Sequence, residues 1–332
     1  MSQPKGLFLL NLDAFEKIYG VEQLRQINLL VSVTAAPQTA AMIQSNPSLL
    51  TDVEIIFSGW GCPQLTAELL LNAPKLKAVF YGAGSIRYIV SDTFWQRGIQ
   101  ISTAYEANDI PVAEFTVAQI LLGLKGYWQY VRSFAQTRQW YEHLPTVGLY
   151  DSTVGLISLG MIGRMVVEKL KAYDVHVIAY DPYVSAETAG KLGVEMVTLD
   201  EIFQRADVVS LHAPWLPETE GMIRGEHFAA MKPNATFINT ARGAIVRENE
   251  MAVVLKSRPD LFALLDVTYP EPPLPDSPLL ALPNVIITPH IAGANIHECK
   301  RNGSYVVDEL KRYLNGEPLK FAVTRERATI MA

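Results

Sequence analysis

Three short segments bring together residue types suited to acid/base chemistry on an anion. Ile238-Asn-Thr-Ala-Arg-Gly243 supplies a guanidinium, Asp266-Val-Thr-Tyr-Pro-Glu271-Pro two carboxylates, and Ile287-Thr-Pro-His290-Ile-Ala-Gly293 an imidazole. A guanidinium is a rigid fork of N–H donors that meets a carboxylate with two parallel hydrogen bonds, so Arg242 is the candidate anion binder. An imidazole exchanges its proton near neutral pH, and a carboxylate beside it favours the protonated ring. His290, with a carboxylate beside it, is therefore the candidate for proton transfer. Plainer roles compete: Arg242 as a surface arginine closing a strand, Glu271 as solvated charge in a Pro-rich loop. Gly243 points to close approach by another group, and His290, between Pro289 and an apolar Ile-Ala-Gly, is better placed than the other histidines.

These segments need strands to present them. Short apolar runs at residues 6–10, 27–33, 53–57, 76–81 and 99–103 read as buried strands, with helices at 14–25, 38–44 and 64–72 between them. A long amphipathic helix is expected over residues 111–134. A second series supplies strands at 154–157, 175–180, 208–211, 236–239, 262–267 and 285–288, followed by a helix over 294–314. This alternation predicts an α/β protein of two units, each a parallel sheet covered on both faces, with a cleft between them. Ligands of such sheets bind beyond the carboxyl ends of the strands, where all three segments fall. The Pro-rich stretch 270–275 lies inside the second series and reads as a rigid functional loop rather than a linker.

Gly155-Leu-Ile-Ser-Leu-Gly160-Met-Ile-Gly163 follows the first strand of that series and opens a predicted helix at 161–172. In the dinucleotide fingerprint GxGxxG the glycines permit a tight turn, approach to the pyrophosphate, and close helix–strand packing. Here Ser158 holds the first position, and Gly160 and Gly163 the second and third. The helix start, with the backbone of Met161 and Ile162, offers N–H groups and partial positive charge to phosphate. Asp181 ends the next strand, about 20 residues on, where an acid accepts hydrogen bonds from ribose hydroxyls and repels a 2′-phosphate. No Lys or Arg follows until Lys191, so NAD is expected over NADP. The plainer role for Asp181 is a turn residue ahead of Pro182.

The 332 residues contain 49% AVILMFWYC and 19% DEKR, enough apolar material for sizeable cores and too little charge for disorder. Lys and Arg number 28 against 34 Asp and Glu, and the net charge of −6 argues against nucleic acid or anionic lipid as partners. Cys62 and Cys299 form no CxxC pair and fit reduced thiols. The apolar run at 7–10 is too short for a signal peptide, and no stretch approaches the ~18 apolar residues of a membrane span. A soluble, cytoplasmic protein with no metal site is expected.

Taken together, the NTARG and TPHIAG segments, the step from Arg242 to Glu271 and the near-fingerprint at 155–163 resemble the D-isomer-specific 2-hydroxyacid dehydrogenase family, over nearly the whole chain. The resemblance implies a Rossmann-type NAD-binding domain at residues 105–296. It also implies a smaller flavodoxin-like substrate domain at 1–104 and 297–332, with the active site in the cleft. By resemblance Arg242 binds the substrate carboxylate and polarises its carbonyl, His290 is the general acid/base, and Glu271 orients it. The family's cofactor-lining positions fall on His212, Pro214 and Thr219, on Thr240 and Ala241, and on Asp266, whose counterpart holds the nicotinamide carboxamide. Capping the following turn is the competing role for Asp266. Tyr81-Gly-Ala-Gly-Ser85 resembles the glycine loop that binds the substrate carboxylate, but the match stops after Gly84. Where members often continue Val-Asp-Asn, this chain has Ser85-Ile86-Arg87. Arg87 then either meets a second anionic group or stays at the surface, and Trp60 either walls the pocket or is core. Family members are commonly homodimers. With the last helix near the chain's end, the extra regulatory domain of some phosphoglycerate dehydrogenases is not expected.

The implied activity is hydride transfer between NAD(H) and a small D-2-hydroxy acid/2-oxo acid pair, as in glyoxylate/hydroxypyruvate reductases, D-lactate dehydrogenases or phosphoglycerate dehydrogenases. The residues agree with it: a 2-oxo acid presents a carboxylate beside a carbonyl, whose reduction needs hydride on carbon and a proton on oxygen. An NAD-sensing scaffold, similar to the corepressors built on this fold, keeps the same Arg/Glu/His set and differs in lacking turnover. Formate dehydrogenases, also similar, carry glutamine where Glu271 stands.

Overall fold

The computed structural model describes residues 3–140 and 146–330. The chain forms two compact units, one of Met1–Asp109 and Ala294–Met331, the other of Ile110–Gly293. The first holds the parallel strands β1 (Lys5–Leu9), β2 (Ser32–Val33), β3 (Ile55–Ser58), β4 (Ala78–Tyr81) and β5 (Gln100–Thr103), in the order β2-β1-β3-β4-β5. Leu7, Leu9, Ile56 and Val79 pack into an apolar cluster on one face, and Phe8, Leu10, Phe57 and Phe80 into one on the other. Burial on both faces is why these strands read as unbroken apolar runs rather than alternating ones.

The second unit holds seven parallel strands: β6 (Ser152–Ile157), β7 (Val175–Tyr180), β8 (Glu195–Met196), β9 (Val208–Leu211), β10 (Thr236–Asn239), β11 (Phe262–Leu265) and β12 (Val285–Ile287). Their order is β12-β11-β10-β9-β6-β7-β8. From β6 the chain adds β7 and β8 on one side, then returns to build β9 to β12 on the other. The reversal between β6 and β9 is the switch point at which open α/β sheets take their ligands.

Three expectations are corrected. Residues 27–33 are not a strand: the helix Val21–Leu30 runs through most of them, and only β2 joins the sheet, at its edge. Ile27 and Val31 are buried, with Leu24 and Leu30 packed on the same cluster, while Leu29 is exposed. That spacing is helical, and a short apolar run does not distinguish the two states. Residues 14–25 are not one helix but the helix Leu12–Ile18 and the start of Val21–Leu30, parted at Gly20. The helix expected over 111–134 is likewise two, Tyr105–Leu124 and Tyr127–Thr137, divided at Gly126, whose φ of 63° suits glycine. Pro111 sits inside the first of these rather than at its start.

Candidate active site

Strands β10, β11 and β12 lie side by side, and the three chemistry-bearing segments leave their carboxyl ends. His290 has a left-handed backbone, φ 53°, a conformation that costs a non-glycine residue about 1–3 kcal/mol. Asp266, just past β11 and 3% exposed, holds it there. One carboxylate oxygen accepts from Thr288 Oγ1 (2.6 Å) and the Ile291 N–H (2.8 Å), the other from the Ala292 N–H (2.8 Å). The His290 N–H donates to the Asp266 carbonyl at 2.9 Å. Capping this turn is thus what the Asp266 carboxylate does in the structure. His290 Nδ1 lies 2.6 Å from Glu271 Oε1. In a neutral ring this contact makes Nδ1 the N–H donor and leaves Nε2 as the proton-exchanging nitrogen. The two side chains are 45% and 42% exposed, so the pair is reachable from outside.

Arg242 leaves β10 on a braced turn. Asn239 Oδ1 accepts from the Ala241 N–H (2.9 Å), Asn239 Nδ2 donates to the Arg242 carbonyl (3.1 Å), and Arg242 Nη1 donates to the Ala241 carbonyl (2.6 Å). A Cβ on Gly243 would sit 2.1 Å from the Thr268 carbonyl carbon and 2.5 Å from the Tyr269 nitrogen, which only glycine avoids. The close approach expected at Gly243 is therefore the chain's own backbone: the Arg242 turn rests on the loop that carries Glu271. Glu248 accepts from the Tyr269 N–H in that loop at 2.9 Å. Neither Asn239 nor Glu248 stands out in the sequence. An Asn ahead of a tight turn was a readable signal for the first, and nothing local marks the second.

At the end of β6, Ser158 takes φ 83° in the first glycine position. Asp181 fastens that turn: one carboxylate oxygen accepts from the Leu159 N–H (2.8 Å) and Ser158 Oγ (3.3 Å), the other from the Tyr183 N–H (2.8 Å). Gly163 packs so closely that a Cβ would lie 2.3 Å from the Ser158 carbonyl oxygen. Gly160 caps the helix Met161–Leu170 with no side chain, and a Cβ there would meet only Ser158 Oγ, at 3.8 Å. The first-turn N–H groups of Met161, Ile162 and Gly163 have no partner within the helix, so this open helix start fits a pyrophosphate. His212 Nε2 lies 3.0 Å from Ser210 Oγ, while its Nδ1 is buried without a partner, a second sign that a polar group belongs beside it. Thr219 shapes its own turn, donating to the Pro214 carbonyl and accepting from the Leu216 N–H (2.8 Å). Thr240 pairs its buried hydroxyl with that of Thr116 at 3.0 Å, next to buried Ala241.

Burial pushes the His212 imidazole down from 6.5 to about 4. The folded protein then keeps this ring neutral at pH values where the unfolded chain protonates it. Stability is expected to fall as pH drops from 6.5 towards 4, and Tm measured across that window is expected to fall less steeply in His212→Asn.

In the first unit, Trp60 is half-buried and packs against both apolar clusters, which favours its core reading. Gly84 follows β4, and a Cβ on it would lie 3.3 Å from Asn108 Nδ2. Ser85 is half-buried and Arg87 exposed. In the second unit, Glu114 pairs with Lys169 at 3.1 Å on the surface, a structural contact.

A family model described as the D-isomer specific 2-hydroxyacid dehydrogenase, NAD binding domain, matches residues 117–292. The chain belongs to this family. The match spans the whole seven-stranded sheet and every site residue placed on it, so this sheet is the family's NAD-binding domain and NAD its cofactor. Among curated relatives, the D-3-phosphoglycerate dehydrogenase of Methanocaldococcus jannaschii is 35% identical over 80% of this chain and 50% of its own. The chain spans about half the length of the curated relatives it matches. Among solved structures, the TT0316 protein from Thermus thermophilus aligns with a TM-score of 0.76 at 26% identity, covering 96% of this chain and all of its own. A phosphoglycerate oxidoreductase from Rhizobium etli shares the fold, with a TM-score of 0.79 at 21% identity over 97% of this chain and 99% of its own.

Proposed function

We propose that the chain interconverts a small D-2-hydroxy acid and its 2-oxo acid with NAD(H). The observation that carries this reading is the His290–Glu271 pair at 2.6 Å, on a loop packed against the Arg242 turn. Arg242 binds the substrate carboxylate and polarises the neighbouring carbonyl. His290 gives a proton from Nε2 to the carbonyl oxygen during reduction and takes it back during oxidation, while Glu271 holds Nδ1 and stabilises the charged ring. Bound NAD(H) supplies or accepts the hydride. Asp181, Ser158 and the first turn of Met161–Leu170 are assigned to the ribose and pyrophosphate, and His212, Pro214, Thr219, Thr240, Ala241 and Asp266 to the nicotinamide side. The acid at 181 supports NAD over NADP. Gly84, Ser85 and Arg87 are assigned to substrate contacts in the first unit, which serves as the substrate domain.

Loss of NADH absorbance on adding glyoxylate, hydroxypyruvate, pyruvate or a phosphorylated 2-oxo acid, with NADPH run in parallel, tests this. Turnover with NADH supports it and ranks the substrates. NADH binding without turnover on any of them would favour a scaffold.

We also propose a homodimer in the cytoplasm. Tyr127, Tyr130, Val131 and Phe134 are exposed at helical spacing along one face of Tyr127–Thr137, and such a stripe fits a subunit contact. Light scattering is expected to give twice the chain mass, falling to one in a Val131→Glu, Phe134→Glu double variant. Among the described residues no helix is long and apolar enough to cross a membrane, and no group of three or more His, Cys, Asp or Glu side chains is placed to hold a metal.

A further inference from the structure

Glu248 opens the helix Glu248–Ser257, a few residues after the Arg242–Gly243 turn. Its carboxylate is half-buried, and among the described residues its one hydrogen bond is from the Tyr269 N–H, at 2.9 Å, with no ion pair. Burial pushes the group up to about 7 against the pull of that N–H. A carboxylate kept in poorly solvated surroundings without a cation is costly, and a residue that merely filled the space would be apolar.

What Glu248 grips is the base of the Glu271 loop. Thr268 and Tyr269 lie against Gly243, Thr268 Oγ1 donates to the Pro270 carbonyl at 2.9 Å, and the Tyr269 ring packs edge-on to Trp215 with centroids 5.3 Å apart. Glu271 follows at once, and its contact with His290 spans only 2.6 Å. The Tyr269 peptide lies two residues before Glu271, at the base of the loop that carries this carboxylate to His290.

We propose that Glu248 is a positioning residue, which by holding the Tyr269 peptide keeps the Glu271 carboxylate on His290 Nδ1 and so fixes the tautomer of the catalytic ring. Its kinetic consequence rests on the acid/base role proposed above; its structural consequence does not.

Two variants separate the cases. Glu248→Gln keeps an acceptor oxygen for the Tyr269 N–H, and Glu248→Ala removes it. With NADH and the best 2-oxo acid, Glu248→Ala is expected to lose about 10–100-fold in kcat with the KM for NADH unchanged, whereas Glu248→Gln stays near the unsubstituted protein. Nitrogen NMR of the neutral His290 ring, assigned from the signals missing in His290→Gln, reads the second consequence without any substrate. The Nδ1–H tautomer is expected in the unsubstituted protein and in Glu248→Gln, and its loss in Glu248→Ala as in Glu271→Ala. A Glu248→Ala protein that melts earlier yet keeps both tautomer and kcat overturns the proposal, and so does Glu248→Gln behaving like alanine. No turnover in the unsubstituted protein, with the tautomer pattern as expected, overturns the dehydrogenase reading and supports this one.

Discussion

Replacing His290 with glutamine is expected to lower kcat by about 10²–10⁴-fold while NADH affinity is unchanged. Glutamine nearly matches the ring in size and still offers hydrogen bonds to Glu271, so the variant isolates the loss of an exchangeable proton from the loss of packing. Steady-state turnover on a 2-oxo acid, with NADH fluorescence titrated alongside, separates the two quantities. Turnover that survived would mean the carbonyl oxygen draws its proton from another group, and His290 would leave the mechanism.

Arg242→Ala carries the second large effect. Removing one member of a desolvated, hydrogen-bonded charge pair costs about 3 kcal/mol, and at 1.4 kcal/mol per decade that is about a hundredfold in kcat/KM. Both parameters are expected to change, since the guanidinium binds the carboxylate in the ground state and polarises the carbonyl as charge develops. Arg242→Lys is expected to recover little, because a single ammonium does not reproduce the planar fork. NADH affinity again serves as the control. An Arg242→Lys protein with full kcat/KM would show that simple charge suffices, and would count against a planar carboxylate as the recognised group.

Much of this architecture was legible because parallel strands buried on both faces leave a plain trace. Runs such as Phe262–Leu265 and Thr236–Asn239 are buried throughout, and they end where polar, chemistry-bearing residues begin. Legibility failed where a residue's state depends on partners distant in sequence. Ile27 and Val31 are consistent with either a strand or a helix until the cluster they pack against is known. Asp266 had two roles open, and the capping one is carried by three donors from the Thr288–Ala292 turn that no spacing announces. Glu248 acts on a backbone N–H, which every residue but proline carries and which therefore leaves no mark in the side-chain pattern. Gly243 is the intermediate case: its presence signalled crowding, but not that the crowding came from Thr268.

That backbone contact bears on how the protein tolerates change. Because the Arg242 turn and the Glu271 loop touch through main-chain atoms at Gly243, neither can be remodelled alone. A library randomised at residues 268–270 would yield few clones that keep anion recognition while losing proton transfer, or the reverse; both would decline together. Altered substrate preference would have to be sought in segments that do not share this seam, the Gly84–Arg87 loop among them.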